Sequence, residues 1–246
     1  MIGVVIPAHD EAACIAQCLA SVQLAARHPA LDGETVVIVV ALDRCSDGTA
    51  DIVAAHGVDS VVLHDGNVGR ARAAGAAAVI ARGARWVACT DADSRVPQDW
   101  LACQVACGAD AFCGIVSVDD WLDYDEIVQT CFGTAEAQHD GHPHVHGANM
   151  GFSAAMYLRC GGFPPLEAHE DVAIVDALHR AGARIARRAT PVVFTSARRV
   201  ARAQGGFADY LLALEARTRA LAGPLFATPG GPLLPALEHG IETRTV

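Results

Sequence analysis

The sequence contains no lysine, so its positive charge comes from 18 arginines, which are outnumbered by 28 aspartates and glutamates. The formal net charge of −10 at pH 7 argues against the basic face that a general nucleic-acid-binding protein needs. Long apolar runs are also absent, because the most apolar segment, Val36–Leu42, is far shorter than the roughly 20 residues of a membrane span. We therefore expect no nucleic-acid partner and no membrane span.

Cysteine pairs at Cys-x-x-Cys spacing are missing, although nine cysteines are present. An odd number of cysteines without that spacing argues against a zinc knuckle and against a disulfide framework. Reduced thiols are typical of the cytosol. The segment Met1–Ala12 also lacks the basic and long apolar regions of a signal peptide. The expected location is therefore cytoplasmic.

Short apolar runs alternate with amphipathic stretches in the first half of the chain, and Asp10 is a candidate cap for the first helix. The predicted strands are Ile2–Ile6, Val36–Leu42, Val58–Leu63 and Arg85–Cys89, and an alanine-rich helix is predicted at Asn67–Arg82. This alternation is typical of an α/β fold with a doubly wound, mostly parallel central sheet. After about Val118 the pattern is less regular, with helices predicted at Glu170–Ala181 and Phe207–Leu221 and one or two strands at Ile185–Phe194.

Polar residues follow the predicted strands at His9, Asp43, Asp65, Asp91 and Asp93. In a parallel sheet of this kind, ligands bind at the carboxyl ends of the strands. We therefore expect these side chains to converge on one edge of the sheet.

Asp91 and Asp93 are two residues apart, so in extended backbone their carboxylates point to the same side. Paired carboxylates can hold a divalent cation against a phosphate, and oxygen ligands favour Mg²⁺ or Mn²⁺. A solvated turn is the alternative, and the chain has a second such pair at Asp123 and Asp125.

Other charged motifs also have two readings. Arg70 and Arg72 lie near a predicted helix start, where they could bind phosphate or simply be exposed helix arginines. Asp43 could accept hydrogen bonds from a nucleobase or ribose, while Ser46 or Asp47 caps the next helix.

Glu170 and Asp171 open a predicted helix, where carboxylates commonly stabilise the helix end. Asp171 could instead act as a general base if it reaches an acceptor hydroxyl. A further segment crowds four histidines: His139, His142, His144 and His146. Metal binding is conceivable there, but Pro143 and the nearby glycines favour a mobile lid or an acceptor loop.

Six segments, in this order, resemble motifs of the family 2 glycosyltransferases, which have the GT-A fold. They are Val4–Ala12, Val40–Val53, Gly66–Gly75, Thr90–Leu101, Gly147–Phe163 and His169–Gly182. The resemblance implies a Rossmann-like sheet and a non-processive enzyme that moves a sugar from a nucleotide-diphosphate donor to a small-molecule or lipid-linked acceptor. It also implies Mn²⁺ or Mg²⁺ as cofactor and an inverting reaction.

The same resemblance implies a role for each matching residue. The donor nucleotide would be bound by Pro7, Ala8, His9, Glu11, Asp43, Arg70 and Asp91, and the metal by Asp91 and Asp93. The acceptor would meet Asn149 and Glu170, and Asp171 would be the catalytic base. We expect one domain at residues 1–222, with a nucleotide-sugar-binding half at 1–118, an acceptor-binding half at 119–222 and a Pro/Gly-rich tail at 223–246.

Several features depart from the family pattern. The Gln-x-x-Arg-Trp motif of processive members is absent. Some relatives use a later histidine as a third metal ligand, but Thr195–Arg199 contains none, so Arg198 and Arg199 could face the diphosphate or an acidic acceptor instead. Retaining relatives also exist, so the stereochemistry stays open.

Two other functions remain as alternatives. A sugar-1-phosphate nucleotidyltransferase would need a glycine-rich, basic phosphate loop after the first strand, where this chain has the acidic segment Pro7–Glu11. A non-catalytic nucleotide-sugar-binding protein would not need the carboxylates Asp93 and Asp171.

Overall fold

The computed structural model describes residues 1–135, 138–201 and 205–222. Its strands are β1 (Ile2–Ala8), β2 (Val36–Asp43), β3 (Asp59–Leu63), β4 (Trp86–Cys89), β5 (Ala111–Ser117), β6 (Met150–Ser153) and β7 (Ile185–Phe194). They form one seven-stranded sheet in the order β3-β2-β1-β4-β6-β5-β7. Strand β6 is antiparallel to β4 and β5, and the other pairs are parallel. The prediction of a mostly parallel α/β sheet is confirmed.

The helices are α1 (Ile15–Ala25), α2 (Thr49–Ala55), α3 (Val68–Ala81), α4 (Trp100–Val105), α5 (Glu126–Ala135), α6 (Ala154–Cys160), α7 (Glu170–Arg180) and α8 (Phe207–Ala222). Within the described part of the chain, none of them combines the length and the apolar character that crossing a bilayer requires. The helices predicted at Asn67–Arg82, Glu170–Ala181 and Phe207–Leu221 correspond to α3, α7 and α8.

The sheet separates two apolar cores because neighbouring side chains of a strand point to opposite faces. Along β1, Val4 and Ile6 pack with the core that includes Ile15 of α1 and Trp100 of α4. Val5 faces the other core, which includes Ile174 of α7. Helices therefore cover both faces, and the carboxyl ends of the strands stay open as a rim.

A third, smaller apolar cluster joins α5 and α8 beyond β5. Its members include Phe132 of α5 and Leu211 and Leu214 of α8, all buried. This cluster holds α8 next to the segment that follows β7, and so brings residues late in the chain close to the rim.

Two local expectations are corrected. The first strand, predicted at Ile2–Ile6, extends to Ala8 and includes Pro7, which is tolerated because the pairing of β1 with β4 stops at Val5 and Cys89. Asp10 does not cap α1; its Oδ1 accepts hydrogen bonds from the backbone N–H groups of Ser46 at 2.7 Å and Asp47 at 3.2 Å. Asp10 therefore ties the loop after β1 to the loop after β2.

Strand β7 is continuous over the whole segment that was predicted as one or two strands. The nine cysteines are free thiols. The predicted tail at 223–246 lies outside the described residues, and the division into halves stays a prediction.

Candidate active site

A cavity of about 1060 Å³ lies at the rim formed by the carboxyl ends of β1, β2 and β4, bordered by the start of α7 and the segment after β7. Most of the residues singled out from the sequence line it: Pro7, Ala8, His9, Glu11, Asp43, Asp91, Asp93, Glu170 and Asp171. Residues predicted from both halves of the chain thus meet on one cavity, as expected for strand ends that share an edge.

The ends of β1 and β2 are bonded to each other at the cavity. Nδ1 of His9 lies 2.8 Å from the carbonyl oxygen of Asp43. The Asp43 carboxylate is buried and accepts backbone N–H groups from Asp65 and Gly66 at 2.9 Å each and from Asn67 at 2.7 Å. The carboxylate of Asp43 therefore shapes the loop that leads into α3, and its contact with a nucleobase stays a prediction.

Arg72 of α3 connects Asp91 with Glu170 at the cavity. Its Nη2 donates to Asp91 Oδ1 at 2.5 Å, and its Nε donates to Glu170 Oε1 at 2.8 Å. The Arg72 side chain is only 3% exposed. Gly147 makes room for it, since a Cβ at that position would lie 2.3 Å from Nη2. Arg72 therefore joins the carboxylate after β4 to the first residue of α7.

Burial and the charge of Arg72 have opposite effects on the pKa of Glu170. Removal from water raises the pKa of Glu170, and the charge of Arg72 lowers it again in part. The ion pair thus keeps a nearly buried carboxylate next to the cavity.

Asp93 is held from two sides. Its Oδ2 lies 2.9 Å from Nη2 of Arg198, while its Oδ1 is 3.4 Å from the hydroxyls of Ser94 and Thr195. The same guanidinium donates through Nη1 to both carboxylate oxygens of Glu11, at 2.7 and 2.8 Å. Burial raises the pKa of Asp93, and the positive charge of Arg198 opposes the rise.

Asp171 lies in the first turn of α7, beside Glu170. Its Oδ2 accepts the backbone N–H of Gly147 at 2.9 Å, which fixes the carboxylate against the wall of the cavity. His169 precedes the helix in a left-handed conformation with φ 61°, and its side chain makes no capping hydrogen bond. The two carboxylates at this helix start therefore have distinct partners: Glu170 binds Arg72, and Asp171 binds Gly147.

Two predicted contact residues are not on the cavity and need correction. Arg70 does not line the cavity and pairs with Asp65 at 3.3 Å, whereas Arg72, also in α3, does line it. Asn149 is fully buried; its Nδ2 donates to the carbonyls of Ile115 and Pro191, and its Oδ1 accepts from Trp100. The Asn149 amide is an internal link and not a surface that an acceptor could touch.

The histidine segment contacts β7, and its predicted role as a mobile lid or an acceptor loop stays a prediction. The rings of His142, His144 and His146 stack at centroid distances of 5.7 and 5.9 Å. Arg187 donates to the carbonyls of Pro143 and His144 at 3.0 Å each. His144 and His146 line the cavity, so the segment is a wall of the site.

The first half of the chain is similar to a known protein family. Residues 3–119 match the family model described as glycosyl transferase family 2. The match covers just under half of the chain, and this part is similar to the family 2 glycosyltransferases. A comparison with curated protein sequences finds no match.

Solved structures show the same fold at low sequence identity. The TarS protein of S. aureus, crystallised with UDP-GlcNAc, matches with a TM-score of 0.63 and 14% identity over 88% of this chain and 65% of that one. Glucosyl-3-phosphoglycerate synthase from Mycobacterium tuberculosis, solved with Mn²⁺, UDP and glucosyl-3-phosphoglycerate, has a TM-score of 0.57 and 17% identity over 90% and 78% of the two chains.

A third similar structure is the mannosyltransferase PcManGT from Pyrobaculum calidifontis with GDP-Man and Mn²⁺, with a TM-score of 0.58 and 18% identity over 93% and 76% of the two chains. This chain thus spans less than two thirds of the TarS chain that it matches first. At these identities the likeness establishes the GT-A fold.

Sequence reasoning missed the two central arginines of this cavity. The sequence indicates Arg72 only together with Arg70, as a phosphate-binding or an exposed helix arginine, and Arg198 only as a residue that could face the diphosphate or an acidic acceptor. Their partners lie far away in the chain: Glu170 is 98 residues from Arg72, and Glu11 is 187 residues from Arg198. The absence of histidine between Thr195 and Arg199 was the one local signal. Arg199 turns away from the cavity and pairs with Asp123 and Glu215.

Proposed function

We propose that this chain is an enzyme that transfers a sugar from a nucleotide-diphosphate donor to a hydroxyl of a small-molecule or lipid-linked acceptor. The observation that carries the proposal is that carboxylates from both halves of the fold line one cavity. Asp91 and Asp93 follow β4, whereas Glu170 and Asp171 open α7. Arg72 binds one carboxylate from each set, so that the two sets are held in a fixed relation.

The donor nucleotide is assigned to the β1 and β2 side of the cavity. Pro7 and Ala8 form the end of β1 there, His9 follows them, and Asp43 shapes the neighbouring loop. A cavity of about 1060 Å³ is large enough for a nucleotide sugar, since ligand pockets commonly measure about 300–1,000 Å³. The similarity to the family 2 glycosyltransferases and the nucleotide-bound relatives of the same fold support this placement.

Asp171 is the proposed general base. Its carboxylate would take the proton from the acceptor hydroxyl as that oxygen bonds to the anomeric carbon of the sugar. The bond between the anomeric carbon and the diphosphate oxygen breaks, and its electron pair leaves with the nucleotide diphosphate. Attack from the face opposite the leaving group inverts the anomeric centre, and holding the reactants in line lowers the barrier. Glu170, beside Asp171, is the proposed acceptor contact.

Mn²⁺ or Mg²⁺ would be the cofactor that the Asp91-x-Asp93 pattern implies, and two of the similar structures were solved with Mn²⁺. The carboxylates of Asp91 and Asp93 fit such an ion poorly as ligands. Arg198 and two hydroxyls already contact the Asp93 oxygens, and Arg72 binds Asp91. Among the residues that the structure describes, no three histidine, cysteine or acidic side chains converge as a metal site. The predicted metal requirement is therefore tested separately below.

The direct test is an assay of the purified protein with UDP- and GDP-sugars, each with Mn²⁺, with Mg²⁺ and with EDTA. We expect release of nucleotide diphosphate with at least one donor, and a faster release when a suitable acceptor hydroxyl is present. Nucleotide binding without turnover under every condition would favour the non-catalytic alternative. Formation of a nucleotide sugar from a nucleoside triphosphate and a sugar 1-phosphate would identify a nucleotidyltransferase.

A further inference from the structure

Arg198 occupies the position at which a cation would meet Asp93. Its guanidinium bridges Glu11, just beyond β1, and Asp93, just beyond β4. Both carboxylates are nearly buried, with side chains 7% and 10% exposed, whereas Arg198 is 26% exposed and also lines the cavity. The arginine therefore presents a fixed positive charge to the cavity while it neutralises the carboxylates of Glu11 and Asp93.

The Asp93 carboxylate has no oxygen that is free of described contacts. Arg198 binds Oδ2, and the hydroxyls of Ser94 and Thr195 lie near Oδ1. A divalent cation on Asp93 would replace these contacts and would lie next to a guanidinium that repels it. Asp91, the other member of the pair, is already bound to Arg72.

A guanidinium can supply what a diphosphate needs from a cation. It stays charged at all relevant pH values, and its N–H groups match phosphate oxygens in bidentate geometry. A fixed cation beside a departing diphosphate stabilises the charge that develops on it without a metal. The two carboxylates that hold Arg198 fix its position before the ligand arrives.

We propose that Arg198 is the resident cation of the donor site: it takes the place of a divalent ion at Asp93 and binds the donor diphosphate without Mn²⁺ or Mg²⁺. This assignment rests on the proposed function for its ligand. The proposal also states that Arg198 and a divalent ion exclude each other at Asp93, and this part does not depend on the identity of the ligand.

The experiment uses Mn²⁺ alone and the nucleotide diphosphates UDP and GDP as probes. Mn²⁺ binding is followed by electron paramagnetic resonance, and nucleotide binding by calorimetry in EDTA and in Mn²⁺. The proteins are the wild type, Arg198→Ala, Arg198→Lys and a control, Arg82→Ala, which removes an arginine paired with Asp59 on the surface.

For the wild type, the nucleotide Kd should change by less than about threefold between EDTA and Mn²⁺, because the positive charge at Asp93 is built in. In Arg198→Ala, Mn²⁺ alone should bind at least about tenfold more tightly than in the wild type, since the repelling charge is gone. Nucleotide binding by that variant should then depend on Mn²⁺. Arg82→Ala should behave as the wild type.

The proposal is overturned if EDTA weakens nucleotide binding of the wild type about tenfold or more, or if Arg198→Ala binds Mn²⁺ no better than the wild type. If Arg198→Ala does not fold, Arg198→Lys and the wild-type comparison decide, because the lysine keeps the charge and should still exclude Mn²⁺ from Asp93. If neither UDP nor GDP binds under any condition, the proposed function fails, and the Mn²⁺ titration still tests whether Arg198 excludes a metal.

Discussion

Arg72 and Glu170 form an ion pair in which both side chains are nearly buried, with Nε and Oε1 2.8 Å apart. The pair joins α3, in the first half of the fold, to the start of α7 in the second. Since Asp171 follows Glu170 directly, the geometry of the candidate base depends on an arginine that does not belong to its own helix.

Replacing Arg72 by methionine should lower the free energy of unfolding by about 3–5 kcal/mol, because Glu170 would be left as an unpaired buried charge. Urea unfolding followed by circular dichroism measures the change. Arg82→Met, which breaks the exposed pair with Asp59, should cost less than about 1 kcal/mol. The double variant Arg72→Met/Glu170→Met should recover part of the loss. Equal effects of the two arginine substitutions would contradict a special role for the buried pair.

Asp171→Asn should leave nucleotide affinity unchanged but lower kcat by about 10²–10⁴, because the amide cannot take the proton of the acceptor hydroxyl. Nucleotide Kd from calorimetry and kcat from product release separate the two effects. The matched control is Asp176→Asn, an exposed carboxylate on the same helix. Turnover of Asp171→Asn at the wild-type rate would exclude the base assignment.

Gly69 in the first turn of α3 marks a close approach of two backbones. A Cβ at this position would lie 2.1 Å from the carbonyl oxygen of Pro164 and 2.8 Å from the backbone nitrogen of Leu166. Gly69→Ala should therefore destabilise the fold by about 1–3 kcal/mol through overpacking.

The comparison for this change is Gly133→Ala in α5, where an added Cβ meets nothing within 4 Å. That variant should be stabilised by up to about 1 kcal/mol, because alanine has the higher helix propensity. Thermal melting of both variants checks the difference in sign. Stabilisation of both variants would mean that the contact at Gly69 is relieved at no cost.

The ion pair between Glu34 and Arg85 should contribute to the pH dependence of the free energy of unfolding. Hydrogen bonds from Arg85, at 2.7 and 2.6 Å, lower the pKa of Glu34 from 4.5 to about 2. A lowered folded-state pKa gives stability that is fully present above the unfolded-state value near 4.5 and is lost as the pH falls toward 2.

Glu34→Gln should therefore be less stable than the wild type by about 1 kcal/mol at pH 7, a modest value because Arg85 is more than half exposed and solvent screens the pair. The difference should shrink between pH 4.5 and 2 in denaturant titrations. A difference that stays constant down to pH 2 would mean that the carboxylate is not the source.

The parts of the fold that were predictable are those with strong local patterns. The valine-rich run of β2 has the length and pattern of a strand, and the alanine-rich α3 has those of a helix. The position of the carboxylates after β4 is predictable because they directly follow a strand. Strand β6 (Met150–Ser153) was not predicted because it lies in the less regular second half of the chain, and its antiparallel pairing with β4 depends on distant partners. The role of Arg198 could likewise not be predicted, because the carboxylates that hold it, Glu11 and Asp93, follow β1 and β4, far away in the chain.

The most direct measurement is a crystal structure of the protein soaked with UDP or GDP in EDTA. The account predicts that the nucleotide lies against the ends of β1 and β2 and that its diphosphate contacts Arg198 in the cavity. The account would be contradicted by a nucleotide bound elsewhere. It would also be contradicted by a diphosphate that does not contact the part of the cavity lined by Asp91, Asp93 and Arg198.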